Sequence, residues 1–196
     1  MIDVTQFKRE EDFKAWFFAQ SDPTTQIESL KAWRQHQQQV VESLSNLVQL
    51  LANDQYTQSD HFLLELLQNA DDNDYPDGLT PELTIALDDS SCTFMCNERG
   101  FNAGNVFAIC YAAASTKKRR LSGRTFIGEK GIGFKSIFAV AQTVEIHSGD
   151  YHFELRDKEY VIPHLIGGES QLGSRVVVHF KPQFKDLSKW VSESLR

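Results

Sequence analysis

The run from His61 to Asn73 carries a carboxylate and a carboxamide at helical spacing. Glu65 lies four residues before Asn69, and Asp72 lies three residues further on. On a helix, all three side chains share one face. A carboxamide oxygen is a hard ligand of the kind that Mg²⁺ takes, and a neighbouring carboxylate can orient and deprotonate a water molecule. Taken alone, the same pattern also fits a polar, solvated helix face.

A second cluster places three glycines shortly before an apolar run. Gly128, Gly131 and Gly133 are followed by the helical stretch from Ile137 to Ala141. Closely spaced glycines let backbone N–H groups approach an anion, and the amino end of a helix attracts one. The pattern therefore favours phosphate binding, with a flexible turn as the alternative.

Neither of two familiar phosphate motifs describes this glycine cluster. A Walker loop needs a lysine immediately after its last glycine, but Phe134 occupies that position and displaces Lys135 by one place. The dinucleotide fingerprint needs a glycine at position 136, where the chain has Ser136. A phosphate-binding loop at this cluster must therefore be of another kind.

Taken together, the two stretches resemble the N-box and the second glycine box of GHKL ATPases, whose patterns are E-x-x-x-N-A-x-D and G-x-x-G-x-G-F. Both occur in the right order. Within that superfamily the motif residues most resemble those of the sacsin and NO VEIN type. The resemblance lies in the stretches 65–73, 97–101, 115–118, 127–138 and 145–148. The resemblance covers roughly residues 57–181 and relates the chain to the heat-shock chaperone ATPase domains.

This resemblance implies a Bergerat-type nucleotide pocket between a helical layer and a sheet, with ATP and Mg²⁺ as cofactors. Glu65 would be the catalytic residue that activates the attacking water, Asn69 would hold Mg²⁺ against the phosphates, and Asp72 would support the site. A closing lid would have its base at 115–117. The other residues expected to contact the nucleotide are Asn73, Cys96, Asn97, Gly100, Phe101, Ser115, Thr116, Lys117, Gly128, Glu129, Lys130, Gly131, Ile132, Gly133 and Phe134.

Two positions depart from the family pattern at the base-binding end. The family supplies an Asp, or an Asn in the NO VEIN type, that accepts a hydrogen bond from the adenine amino group. Here that position is Cys96, whose thiol is a weak acceptor, with Asn97 next to it. Three alternatives follow. Asn97 accepts the hydrogen bond from the adenine amino group, a water and a backbone carbonyl accept it instead, or the affinity for the base is reduced. The second departure is Val177, where chaperone ATPases offer a Thr to a water near adenine.

Hydrophobic periodicity and turn residues predict an α+β fold, a two-layer sandwich in which helices cover one face of a mixed β-sheet. The expected elements are an amphipathic helix over 27–52, a helix from a Ser59 cap to Asp72, a hairpin of strands 82–87 and 92–96, a helix over 103–114, strands at 143–147, 151–156 and 175–181, and a last helix over 184–195. The expected parts are a helical extension over 1–56 that packs on the domain, the ATP-binding domain over 57–182, and a C-terminal helix over 183–196 that leads into a longer protein.

The composition argues against several classes of protein. The 196 residues, 41% hydrophobic and 24% charged, fit a single soluble domain. A net charge of −7 disfavours general nucleic-acid binding, which relies on clustered Lys and Arg. Three cysteines without metal-ligand spacing disfavour a disulfide framework or a zinc site. Because no stretch has the apolar length of a membrane span, we expect an intracellular protein, cytoplasmic or nuclear, without membrane contact.

Two functions fit these residues, and a third fits less well. A slow Mg²⁺-dependent ATPase that drives conformational change or dimerisation of a larger protein is favoured by Glu65. A nucleotide-sensing or degenerate interaction module without hydrolysis is favoured by Cys96 and Val177. A histidine kinase needs a phosphoacceptor on an upstream helix, where His36, the only candidate, has a Gln-rich, solvated setting. The expected partners are ATP or ADP and a second copy of the chain, and no client protein is specified by these residues.

Overall fold

Six strands and several helices make up the described part of the chain. The computed structural model describes residues 2–43, 45–46, 61–111, 132–184 and 191, with the backbone alone at 61, 132 and 133. The strands are β1 (Leu83–Asp88), β2 (Ser91–Cys96), β3 (Ala141–Gly149), β4 (Tyr151–Arg156), β5 (Glu159–Leu165) and β6 (Gln171–Phe180). The α-helices named below are α1 (Glu10–Ala19), α2 (Pro23–His36), α3 (His61–Asp71), α4 (Ala103–Ile109) and α5 (Ile132–Lys135).

The strands form one sheet in the order β1-β2-β6-β3-β4-β5, and every described pairing is antiparallel. Tight turns join β1 to β2, β3 to β4, and β4 to β5, and such short connections produce antiparallel neighbours. Strand β6 then returns between β2 and β3, antiparallel to both. The α+β two-layer sandwich is confirmed, and its sheet is antiparallel rather than mixed.

The core lies between the sheet and the helices. Along β2, Cys92 and Phe94 are buried and lie opposite Val178 and Val176 of β6. Alternate strand residues, such as Thr93, project to the other side of the sheet, because successive side chains of a strand point to opposite faces. We call these two sides the helical face and the outer face.

Helices α1 and α2 belong to the same core as the sheet. Phe13 of α1 stacks on Trp33 of α2, with ring centroids 4.6 Å apart. Helix α2 lies along β5, and its buried Gln26 accepts a hydrogen bond from the Tyr151 hydroxyl at 2.6 Å. The N-terminal residues therefore complete the helical layer. Helix α1 was not predicted, because its sequence mixes acidic and basic side chains with aromatic ones.

The long helix predicted over 27–52 is interrupted. Helix α2 ends at His36, and Gln37 leaves the helical conformation at φ −98° and ψ 50° before the chain becomes helical again at 38–43. The Arg34 guanidinium donates to the Gln37 side-chain oxygen at 2.8 Å and to the carbonyl of Cys110 at 2.9 Å. These contacts stabilise the break, which periodicity alone does not reveal. Residues 47–52 lie outside the described residues.

Most other predicted elements occur where the sequence placed them. The helix ending near Asp72, the first hairpin and the strands around 143–147, 151–156 and 175–181 are confirmed. The apolar run expected to be helical from 137 is helical from Ile132 and passes into β3 at Ala141. Strand β5 was missed. The helix predicted over 103–114 is shorter than expected: it ends at Ile109, and the carbonyls of Ile109 and Cys110 accept from the side chains of Lys135 and Arg34. Residue 191 is helical, but the Ser59 cap and most of the C-terminal helix lie outside the described residues. No helix in the described ranges has the length and apolarity that crossing a bilayer requires.

Candidate functional site

Helix α3 presents the predicted carboxylate and amide on one side and packs against the protein core with a different side. Its buried side chains are Phe62, Leu63, Leu66 and Ala70. Glu65 and Asn69 are half-buried. Within the described part of the chain, neither of these two side chains forms a hydrogen bond or an ion pair.

The end of the glycine cluster lies beside this helix. Helix α5 contains Gly133 and Phe134, and α3 packs against α5 and against the 3-10 turn that follows it. The fold thus brings α3 and the end of the glycine cluster together, although sixty residues separate the two helices in sequence. Asp72, just after α3, is exposed, and Asn73 is half-buried. The residues 128–131 and 115–117 of the predicted site lie outside the described residues.

Lys135 is a buried cation at the end of α5 that the sequence analysis did not single out. Its Nζ donates to the carbonyls of Ile109, at the end of α4, and Tyr160, in β5. Burial lowers the pKa of Lys135 to about 8. The residue therefore ties the first turn after the glycine cluster to α4 and to the sheet. A single lysine inside the apolar run 132–141 is the sequence signal that points to it.

Cys96 lies on the helical face, at the end of β2 nearest the carboxyl end of α3. Its Sγ is 3.0 Å from the Tyr75 hydroxyl, which donates to the carbonyl of Ala70 at 2.6 Å. Ala70 directly follows Asn69, so this hydroxyl links the end of β2 to the predicted metal-binding turn. Burial, with the hydrogen bond to Cys96, raises the pKa of Tyr75.

Asn97 uses its side chain to hold the start of the first hairpin. Its Oδ1 accepts from the backbone N–H of Glu82 at 2.8 Å, and its Nδ2 donates to the carbonyl of Thr80 at 2.9 Å. Both hydrogen-bonding atoms of this amide are therefore engaged by backbone next to β1. Of the two neighbours, Cys96 is the one that faces the helical layer.

A buried polar cluster surrounds the turn that follows β2. Ser174 on β6 donates to the carboxylate of the buried Glu98 and also contacts the hydroxyl of Ser148 on β3. The Ser148 hydroxyl in turn accepts from the backbone N–H of Phe101 at 2.7 Å. Gly100 adopts φ +85°, in the left-handed region that favours glycine. These contacts fix the turn that carries the predicted residues Gly100 and Phe101.

Ser174, rather than Val177, places a hydroxyl on the helical face beside Cys96. Val177 pairs with Thr93 and projects to the outer face, whereas Ser174 pairs directly with Cys96 and projects to the helical face. The backbone comes closest at Gly173, where a Cβ would overlap the carbonyl oxygen of Cys96. A hydroxyl on the helical face is therefore present three residues before Val177 in the chain.

A cleft of about 280 Å³ lies at the same end of the sheet and is lined by residues from both of its faces. Its lining consists of Glu82, Thr84, Met95, Cys96, Asn97, Gln171, Leu172, Ser174 and Arg175. The alternation of β1, β2 and β6 points Thr84, Met95 and Arg175 away from the helices. Cys96 and Ser174, which also line the cleft, project to the helical face.

Comparison with known proteins agrees with one part of the resemblance drawn from the motifs. No family model matches the chain. The chain is similar to Protein NO VEIN of Arabidopsis thaliana. The similarity to NO VEIN is 42% identity over 127 residues, 63% of this chain. The chain spans only 4% of the length of NO VEIN, so the similarity concerns one segment of a much larger protein.

Proposed function

We propose that this chain is a Mg²⁺-dependent ATP-binding domain that hydrolyses ATP slowly and thereby drives conformational change or dimerisation of a larger protein. The packing of α3 against α5 carries the proposal, because it brings the helix that bears Glu65 and Asn69 against the helix that contains Gly133, the last glycine of the cluster. Similarity to the GHKL motifs supports the same assignment. In this proposal the nucleotide lies between α3 and the helical face of the sheet.

Each group in this arrangement has a chemical role. Asn69 offers an amide oxygen to Mg²⁺, and Glu65, one turn earlier, takes a proton from the attacking water. The backbone around Gly133 approaches the phosphates, with the other glycine-cluster residues and 115–117 as further expected contacts. Cys96 and Ser174 lie at the other end of the pocket, where the base would bind.

The residues present suit Mg²⁺ better than a metal held wholly by protein. In the parts of the chain described above, no group of three His, Cys, Asp or Glu side chains is placed to hold a metal ion. Mg²⁺ does not need such a group, because it keeps several waters and takes one or two protein oxygens together with substrate phosphates. Asn69, with no competing hydrogen bond in the described residues, meets that requirement.

Replacement of Asn69 tests the metal site. We expect Asn69→Ala to weaken binding of ADP or a slowly hydrolysed ATP analogue in the presence of Mg²⁺, with little effect in its absence, as measured by calorimetric titration. Gln68→Ala is the matched control, since Gln68 is exposed on the same helix. An unchanged Mg²⁺ dependence in Asn69→Ala would count against the assignment.

Replacement of Glu65 separates the ATPase from a second candidate, a nucleotide-binding module without turnover. The weak acceptor at Cys96 favours that second candidate. We expect Glu65→Gln to keep nucleotide affinity and to lose turnover by roughly 10²–10⁴-fold, the usual effect of removing a general base. Glu11→Gln, at an exposed position on α1, is the control. If the unmodified chain hydrolyses ATP no faster than Glu65→Gln, the module without turnover is the correct function.

A further inference from the structure

The hydrogen-bond directions between Tyr75 and Cys96 follow from counting protons. The Tyr75 oxygen lies 2.6 Å from the carbonyl oxygen of Ala70 and 3.0 Å from the Cys96 sulfur. A phenol has one proton, and a backbone carbonyl can only accept, so the Tyr75 proton lies on the bond to Ala70. In the contact with Cys96, the thiol is therefore the donor and the Tyr75 oxygen the acceptor.

This direction limits what the thiol can offer to a ligand. With its proton held by Tyr75, the sulfur presents only lone pairs to the space between the layers. Adenine carries an amino donor at position 6, whereas guanine carries an oxo acceptor at the same position. A sulfur that only accepts is compatible with the first group and repels the second.

We propose that Tyr75 and Cys96 together make the pocket selective for purines with a 6-amino group, with Tyr75 as the specificity-determining residue that fixes the thiol proton. This inference rests on the proposed function, since the base must lie at Cys96. The arrangement persists at neutral pH, because burial and the bond to Cys96 raise the pKa of Tyr75 and keep its phenol protonated. Asn97, the other candidate, has both amide atoms engaged by backbone.

Removal of the Tyr75 hydroxyl tests the role of this residue. In Tyr75→Phe the thiol proton can turn toward the ligand and donate to an oxo group. Calorimetric titration with ADP and GDP, each with Mg²⁺, should show a preference for ADP in the unmodified chain. In the variant, the ratio of ADP to GDP affinity should fall roughly 3- to 10-fold, the range expected for one neutral hydrogen bond.

Tyr160→Phe is the matched control, because Tyr160 lies on β5, which three strands separate from β2, and its hydroxyl donates to Asp157 at 2.9 Å. It should leave the affinity ratio unchanged. An unchanged ratio in Tyr75→Phe, with ADP still bound, overturns the selectivity role and leaves nucleotide binding intact. If the unmodified chain binds neither ADP nor GDP, the selectivity inference and the proposed function both fail.

A second measurement uses the unmodified chain and does not require a folded variant. Cys96 is half-buried, whereas Cys92 and Cys110, the other two cysteines, are fully buried. Burial also raises the pKa of Cys92 to about 12 and that of Cys110 to about 11, so N-ethylmaleimide should label Cys96 first. Peptide mass spectrometry can follow that labelling.

Ligand protection then shows what lies against the thiol. ADP with Mg²⁺ should slow the labelling of Cys96 severalfold, and inorganic triphosphate with Mg²⁺, which lacks a base, should not. Equal protection by the two ligands, or none by ADP at concentrations where calorimetry shows it bound, means that the base does not lie at Cys96 and overturns the inference.

Discussion

Cys96 of β2 and Ser174 of β6 are direct partners across the sheet, and both side chains project toward the helical layer. A thiol and a hydroxyl thus stand side by side at the end of the sheet nearest the carboxyl end of α3. If the base lies on the helical face, as we propose, we expect a stronger acceptor at position 96 to reach it, and one at Asn97 not to.

Restoring a carboxylate at position 96 should tighten adenine nucleotide binding. We expect Cys96→Asp to bind ADP roughly 10- to 100-fold more tightly, because hydrogen bonds to charged groups contribute about 1.5–3 kcal/mol. Calorimetric titration gives the affinity, and Asn97→Asp, which adds the same charge one residue away, is the control. Equal or weaker binding by a folded Cys96→Asp would show that position 96 does not contact the base.

Loss of the Asn97 amide should affect stability rather than ligand binding. Asn97→Ala removes two hydrogen bonds to the backbone at Thr80 and Glu82, and we expect the free energy of unfolding to fall by about 1–2 kcal/mol. Urea denaturation measures this change, and nucleotide affinity should remain within twofold. A large loss of affinity with unchanged stability would return Asn97 to the base-binding end.

Truncation of Ser174 should be costly because it removes a donor from a buried carboxylate. We expect Ser174→Ala to lower the free energy of unfolding by about 1–3 kcal/mol, the usual effect of taking a partner from a buried polar group. Ser91→Ala, on β2 but projecting to the outer face, should change stability by less. Equal effects of the two substitutions would mean that Glu98 does not depend on Ser174.

Lys135 should make stability depend on alkaline pH. Burial lowers its pKa from 10.5 to about 8, so between these values the unfolded chain binds more protons than the folded one. Stability contributed by this residue therefore rises with pH across that window. Lys135→Met should remove that rise, as measured by urea denaturation from pH 7.5 to 10. Buried tyrosines and cysteines oppose the trend in both proteins, so the difference between the two curves isolates Lys135; parallel curves would refute the prediction.

His147 should make the fold sensitive to mild acid. Its Nδ1 lies 3.1 Å from Nδ1 of His152, and its Nε2 lies 3.5 Å from Glu145. Burial, with the nearby charge of Arg175, lowers the pKa of His147 below 6.5. As the pH falls, the His147 imidazole is therefore protonated in the unfolded chain before it is protonated in the folded chain. The free energy of unfolding then decreases as the pH drops below 6.5. His147→Asn should reduce this fall in thermal denaturation scans between pH 7 and 5, and an unaltered fall would exclude His147 as its source.

The features that the sequence predicted correctly depend on local patterns. The 3.6-residue period of the apolar side chains indicated which side of α3 packs against the core. Turn residues between two short strands indicated the first hairpin. Strand β5 was missed because it contains Pro163 and is buried on both sides, which removes the alternation that reveals a half-exposed strand. The roles assigned to Glu65, Asn69 and the glycine cluster stay predictions, supported by the packing of α3 on α5.

The orientations of Val177 and Ser174 on β6 could not be predicted from the sequence. The two positions differ by three residues, an odd number, so they project to opposite faces of β6. Which of them faces the helices depends on the register of β6 against β2, and a shift of one residue would reverse the answer. That register is set by long-range pairing, and one strand's own sequence does not contain it.

The two edge strands of the sheet, β1 and β5, differ in their ability to pair with a strand from another molecule. At one margin, β5 contains Pro163, which has no N–H to donate, and α2 lies along it. At the other margin, β1 has no neighbouring strand beyond it within the described sheet. A sheet that can accept a new strand at one edge only can pair edge to edge with one other sheet across a twofold axis, and no open edge then remains for further addition. We therefore expect any association through the β1 edge to give closed pairs rather than fibres.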